Sequence, residues 1–259
     1  VASGEVRNRW RHAAGHARDE RLVARCLIHR AGAVHGDRIQ IGPPVDPFGP
    51  GHPDAGRGYP PAVPAPPVRR PGPSGLFLTP GAGSDRDHPG LVALQDRLAP
   101  LAVERMDFPY RKAGKPFPDR APALLEAVRD GVAAMAVGHD LDPDRLVLGG
   151  RSMGGRMCSM AVAEGLPAVG LVLVCYPLHP PKKPQNLRVD HFGSIHVPCL
   201  FVSGDRDEFG TPEEFDAHLP AIPGPVTVVR LPGKRHDLKG CDELVCDAVE
   251  AWLADTFPT

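Results

Sequence analysis

From residue 75 onward, short apolar runs alternate with amphipathic stretches, and no other feature constrains the fold as much. Strands interleaved with helices can bury both kinds of apolar face only if the strands form a mostly parallel sheet and the helices cover it. The strand-like runs are Gly75–Thr79, Val103–Phe108, Arg145–Leu148, Gly170–Cys175, Cys199–Ser203 and Val226–Leu231. Gly170–Cys175 reads Gly-Leu-Val-Leu-Val-Cys, the continuous apolar pattern of a strand covered on both faces. Helical stretches are predicted at Leu91–Leu101, Ala121–Val137, 153–164 and Asp242–Phe257. In Ala121–Val137 the apolar residues Leu124, Val128, Val132 and Met135 recur at helical spacing. Thr211-Pro212-Glu213-Glu214 marks a further helix start, with Thr as N-cap, Pro at the first position and Glu three after the cap. The expectation is an α/β domain whose sheet has about six or more strands flanked by helices. The longest connection, Pro177 to Val197, is too short for a large cap domain.

The first 74 residues have a different character. Residues 1–40 are rich in Arg, His and Ala, with one weakly helical piece around Arg21–His29. Residues 43–73 are dense in proline, which blocks both helix and sheet ladders. Residues 1–74 are therefore expected to be a poorly ordered extension, with room for a short strand or two flanking the sheet edge, and residues 75–259 to be the folded domain. The whole chain has 259 residues, 24% of them charged, and a formal net charge of -1. That balance argues against nucleic acid as the main partner. No apolar run reaches the length of a membrane helix, and the N-terminus lacks the apolar stretch of a signal peptide. None of the six cysteines forms a C-x-x-C pair, and Cys158, Cys175 and Cys199 fall in core-like runs. Reduced, buried thiols and a cytoplasmic location are the expectation.

The central motif is Gly150-Arg151-Ser152-Met153-Gly154, set where a buried strand ends and a helix begins. A sharp turn there would lift a serine hydroxyl clear of the backbone, with glycine where side chains cannot fit. The N-terminus of the following helix would favour a developing oxyanion. The competing reading is a glycine-rich strand–helix turn that binds an anion without catalysis.

A serine hydroxyl is a poor nucleophile without a base, and the base needs an acid to orient it. With Ser152 as nucleophile, the acid and then the base should follow in chain order at strand ends. Asp205 and Asp207 compete for the acid; Asp207 is favoured, because Asp205 directly follows a glycine and suits a turn. His218 and His236 are the only later histidines. His218 falls within a helical stretch, so His236, past the last strand, is the expected base. Pro80-Gly81-Ala82-Gly83 follows the first strand of the domain and can supply an oxyanion donor. Backbone N–H groups of Met153 and Ala82 are the expected pair. Asp85, Asp87 and His88 show no metal-ligand spacing, and no metal or cofactor is expected.

Together these residues resemble the small bacterial α/β-hydrolases related to dienelactone hydrolase. They are similar, too, to animal hydrolase-like proteins known as testis-expressed or as subunits of a histone-acetyltransferase complex. The resemblance covers residues 75–259 and includes Leu78-Thr79-Pro80-Gly81-Ala82-Gly83, Asp107-Phe108-Pro109-Tyr110-Arg111 and Tyr176-Pro177-Leu178-His179-Pro180-Pro181. It implies an α/β-hydrolase fold without a cap, a Ser-Asp-His triad and no cofactor. Many relatives carry His-Gly where this chain has Pro80-Gly81, and dienelactone hydrolase itself uses a cysteine nucleophile, so its substrate is not carried over. Tyr110, Tyr176 and His179 lie just past predicted strand ends, where they either line the pocket or serve packing and loop structure.

The expected activity is hydrolysis of a small-molecule ester or thioester through an acyl-enzyme. The alternative is a hydrolase-fold protein that binds a ligand or partner without catalysis.

Overall fold

The computed structural model describes residues 28–30 and 72–258. Seven strands form one sheet: β1 (Ile28–Arg30), β2 (Gly75–Thr79), β3 (Ala102–Arg105), β4 (Leu146–Arg151), β5 (Gly170–Val174), β6 (Cys199–Gly204) and β7 (Val226–Leu231). Their spatial order is β1-β7-β6-β5-β4-β2-β3. Six strands run parallel, and β1 pairs antiparallel with β7 at one edge. The helices are α1 (Pro89–Leu98), α2 (Pro109–Lys112), α3 (Ala121–His139), α4 (Met153–Ala163), α5 (Pro212–His218) and α6 (Asp242–Thr256).

Every residue of β2, β5 and β6 is buried, as befits strands with helices on both sides. Successive side chains alternate between two cores. Phe77, Leu148, Leu171, Leu173 and Phe201 pack toward α3 and α4. Leu76, Leu78, Val147, Val172 and Leu200 pack toward α1 and α6. Each such side chain contributes about 1.5–3 kcal/mol by leaving water. The stripe predicted on α3 is the inward face: Leu124, Val128, Val132 and Met135 are all buried.

Two local expectations are adjusted. The strand read over Val103–Phe108 ends at Arg105. Pro109 holds Phe108 extended (φ -68, ψ 150) and starts α2 at once. The weakly helical piece at Arg21–His29 lies mostly outside the described residues, and its last two residues belong to β1 instead. Pairing with the open edge of β7 outweighs local preference there. Of the proline-dense stretch, only Gly72 and Pro73 are described; Arg145 donates to the Gly72 carbonyl, and Ser74 N donates to the Arg145 carbonyl at 2.9 Å. The predicted capping box at α5 is complete: the Thr211 hydroxyl accepts from Glu214 N, and Glu214 accepts from Thr211 N at 2.8 Å.

Candidate active site

The parallel strands all deliver their following loops to one edge, and the sequence-predicted residues meet there. At the β4–α4 junction Ser152 adopts φ 51, ψ -118, a conformation that non-glycine residues rarely hold. The packing around it explains the flanking glycines. A Cβ on Gly150 (φ 156) would stand 2.2 Å from the Thr79 carbonyl oxygen. One on Gly154 would stand 2.5 Å from the Pro80 carbonyl oxygen. The end of β2 is therefore pressed against the turn, and only glycine permits that approach.

Ser152 Oγ lies 2.9 Å from His236 Nε2. His236 Nδ1 lies 2.8 and 2.9 Å from the two carboxylate oxygens of Asp207. The Asp207 side chain is fully buried, whereas that of His236 keeps 14% of its surface exposed. Asp207 Oδ1 accepts from Phe209 N at 2.8 Å, and the Phe209 ring stacks on the His236 imidazole at 3.9 Å between centroids. A buried carboxylate on Nδ1 fixes the imidazole so that Nε2 presents its lone pair to the serine hydroxyl.

Asp205 points elsewhere: its carboxylate accepts from Gly233 N at 2.7 Å and ties the β6 loop to the β7 loop. The expected turn role is thus a bridge between loops. His218 closes α5 and is not part of the cluster.

Met153 is the first residue of α4, and its N–H has no intrahelical partner. The Pro80–Gly83 loop lies beside the serine, since a Cβ on Gly81 would make ordinary contact with Ser152 Cβ at 3.6 Å. Tyr110 clamps this loop by donating its hydroxyl to the Ala82 carbonyl at 2.9 Å.

Tyr110, Tyr176 and His179 are all buried. Tyr176 donates to the Arg188 carbonyl at 2.7 Å, and His179 Nε2 sits 3.1 Å from Glu214.

Three neighbours were not singled out for the site. Phe209 follows Asp207 in an irregular loop, where no periodicity marks it and the sequence carries no signal of its stacking. Arg151, inside the serine motif itself, donates to the His236 carbonyl at 2.6 Å and braces the histidine loop. Cys175, just past β5, has a ligand atom within 4.8 Å of those of Asp207 and His236. Burial pushes its thiol up to about 12, so it stays protonated, while Asp207 and His236 are bonded to each other. Cys158, Cys175, Cys199, Cys241 and Cys246 are all free and buried; Cys26 lies outside the described residues.

Among the described residues, no helix is long and apolar enough to cross a membrane. A family model described as alpha/beta hydrolase domain matches residues 73–246. Several solved structures share the fold at low identity. Est1E from Butyrivibrio proteoclasticus is 19% identical, with TM-score 0.58 over 73% of this chain and 90% of its own. An alpha-beta serine hydrolase homologue from Coxiella burnetii is 19% identical, with TM-score 0.57 over 71% and 87%. DcsB, solved with a substrate analogue, is 16% identical, with TM-score 0.57 over 73% and 92%. The sheet order, the strained serine turn and the family match over most of the chain lead to one assignment: the chain belongs to the alpha/beta hydrolase domain family.

Proposed function

We propose that this protein is a serine hydrolase that cleaves a small-molecule ester or thioester through an acyl-enzyme. The hydrogen-bonded chain from Ser152 through His236 to Asp207 carries the reading. In the proposed mechanism His236 Nε2 takes the hydroxyl proton as Ser152 Oγ attacks the substrate carbonyl. Asp207 stabilises the imidazolium that forms. The N–H groups of Met153 and Ala82 receive the oxyanion. His236 then protonates the leaving alcohol or thiol, and the carbonyl–leaving-group bond breaks. Water, deprotonated by His236, attacks the acyl-serine; the acid leaves and Ser152 regains its proton.

The kinship with dienelactone-hydrolase-related proteins belongs to this proposal, resting on the quoted motifs, and the dienelactone substrate does not. Neither a nucleic acid nor a membrane enters the proposed chemistry. Free, buried cysteines fit a reducing compartment, so a cytoplasmic location is part of the same reading.

Labelling with a fluorophosphonate tests it. The wild-type protein should label, Ser152→Ala should not, and His236→Ala should label roughly 10^2–10^4-fold more slowly. A folded wild-type protein that resists labelling would overturn the hydrolase reading in favour of a hydrolase-fold binding protein.

A further inference from the structure

The described residues include nine half-buried arginines. Arg97, Arg105, Arg111, Arg129 and Arg230 each reach a carboxylate. Arg145 and Arg151 each donate to a backbone carbonyl. Arg156 and Arg188 form no ion pair with any described residue, and Arg156 Nε is buried with no hydrogen-bond partner. Half-burying two cations without a counter-charge costs stability, and such a cost is typically retained where function requires it.

Arg156 is on the helix that Ser152 begins, and Arg188 is on the loop that follows β5. Arg156 lies four residues after Ser152, one turn along α4 and about 6 Å along its axis. Side chains on a helix tilt toward its N-terminus, so Arg156 leans back toward the serine end. Arg188 is held on the same side of the sheet, its carbonyl accepting from Tyr176 Oη at 2.7 Å and its N–H donating to the Leu178 carbonyl at 2.8 Å. Tyr176 lies two residues beyond β5, whose last carbonyl, that of Val174, accepts from Ser152 N at 2.8 Å. Burial and then the nearby Arg156 charge lower the Arg188 pKa, so the two guanidinium groups feel each other. His191 bonds the Ser159 hydroxyl at 2.8 Å beside them. Burial, with Arg156 adding, lowers its pKa to about 4, so it is neutral at neutral pH. Glu164, which pairs with Arg129, and Asp190, which is exposed, form no ion pair with either arginine.

We propose that Arg156 and Arg188 form an anion subsite beside Ser152, and that the substrate is an ester or thioester carrying a carboxylate a few bonds from its scissile carbonyl. This rests on the hydrolase reading for the reaction, though not for the binding. A planar carboxylate matches guanidinium donors and supplies the missing counter-charge. A short dicarboxylic acid with roughly three methylenes, esterified at one end, carries both groups and serves as the probe.

The test compares mono-(4-nitrophenyl) glutarate with its methyl ester, corrected for spontaneous hydrolysis. The wild-type kcat/KM should favour the free acid by about tenfold or more. Arg156→Gln and Arg188→Gln should each bring that ratio toward one. Calorimetry on the full chain supplies an arm without turnover: glutarate should bind, glutaramide should not, and either variant should weaken glutarate. If Arg156→Gln fails to fold, Arg188→Gln, on a loop, decides alone. A protein that labels with fluorophosphonate, yet shows a ratio near one or no glutarate binding, overturns the subsite and leaves the hydrolase reading standing. Glutarate binding that needs both arginines, in a protein that resists labelling, overturns the hydrolase reading and keeps the subsite.

Discussion

Replacing Gly154 by alanine tests whether the pressed turn builds the site. The new Cβ would stand 2.5 Å from the Pro80 carbonyl oxygen, 2.5 Å from Thr79 Oγ1 and 2.6 Å from the Thr79 carbonyl oxygen. None of these can yield cheaply. Two are backbone atoms, and Thr79 is buried with its hydroxyl donating to the Gly149 carbonyl at 3.0 Å. Reaching ordinary contact near 3.4 Å requires a shift of about 0.9 Å between α4 and the end of β2. Overpacking of that kind costs about 1–3 kcal/mol. The same shift separates Met153 N–H from the Pro80–Gly83 loop, the two proposed sources of oxyanion donors. A misplacement of about 1 Å costs on the order of 100-fold in rate. Urea denaturation and fluorophosphonate labelling of Gly154→Ala should therefore both show large losses. Gly138→Ala is the control: it lies in α3 with nothing within 4 Å of the added Cβ, and should gain up to about 1 kcal/mol with unchanged labelling. Wild-type stability and labelling rate in Gly154→Ala would refute the account of the turn.

Two further outcomes follow from single contacts. Tyr110→Phe removes the clamp on the Ala82 carbonyl, and should cost about 1 kcal/mol and slow labelling; a stability loss with unchanged labelling would show that this loop does not serve the serine. His191 should make stability depend on pH. Its folded pKa of about 4 lies below its ordinary 6.5, so its stabilisation is complete above 6.5 and lost as pH falls toward 4. Allowing for its partial exposure, the loss by pH 5 should be about 1–2 kcal/mol, read from urea midpoints at pH 7 and 5. His191→Gln should flatten that dependence, and an unchanged profile would contradict the assignment.

Much of this arrangement is determined by the sequence itself. Alternation of buried runs with a helical stripe is a local pattern, and it specifies six parallel strands and their helices. The serine turn is equally local, because strand, glycines and helix start are contiguous from Leu146 to Ala163. Chain order at strand ends then narrows the candidate acid and base to a few residues. Tertiary structure decided what remained. Both Asp205 and Asp207 sit in one loop, and only the direction of each side chain separates the bridge to Gly233 from the bond to His236. The strand at Ile28–Arg30 has three residues and little pattern; its place comes from the free edge of β7. Tyr110 and Tyr176 lie just past strand ends, and their bonds to the Ala82 and Arg188 carbonyls form only in the folded arrangement. Arg151 braces a carbonyl 85 residues away, and Ser152 meets a histidine 84 residues away. Periodicity carries no information over such separations, because those contacts exist only once the sheet has brought its loops to one edge.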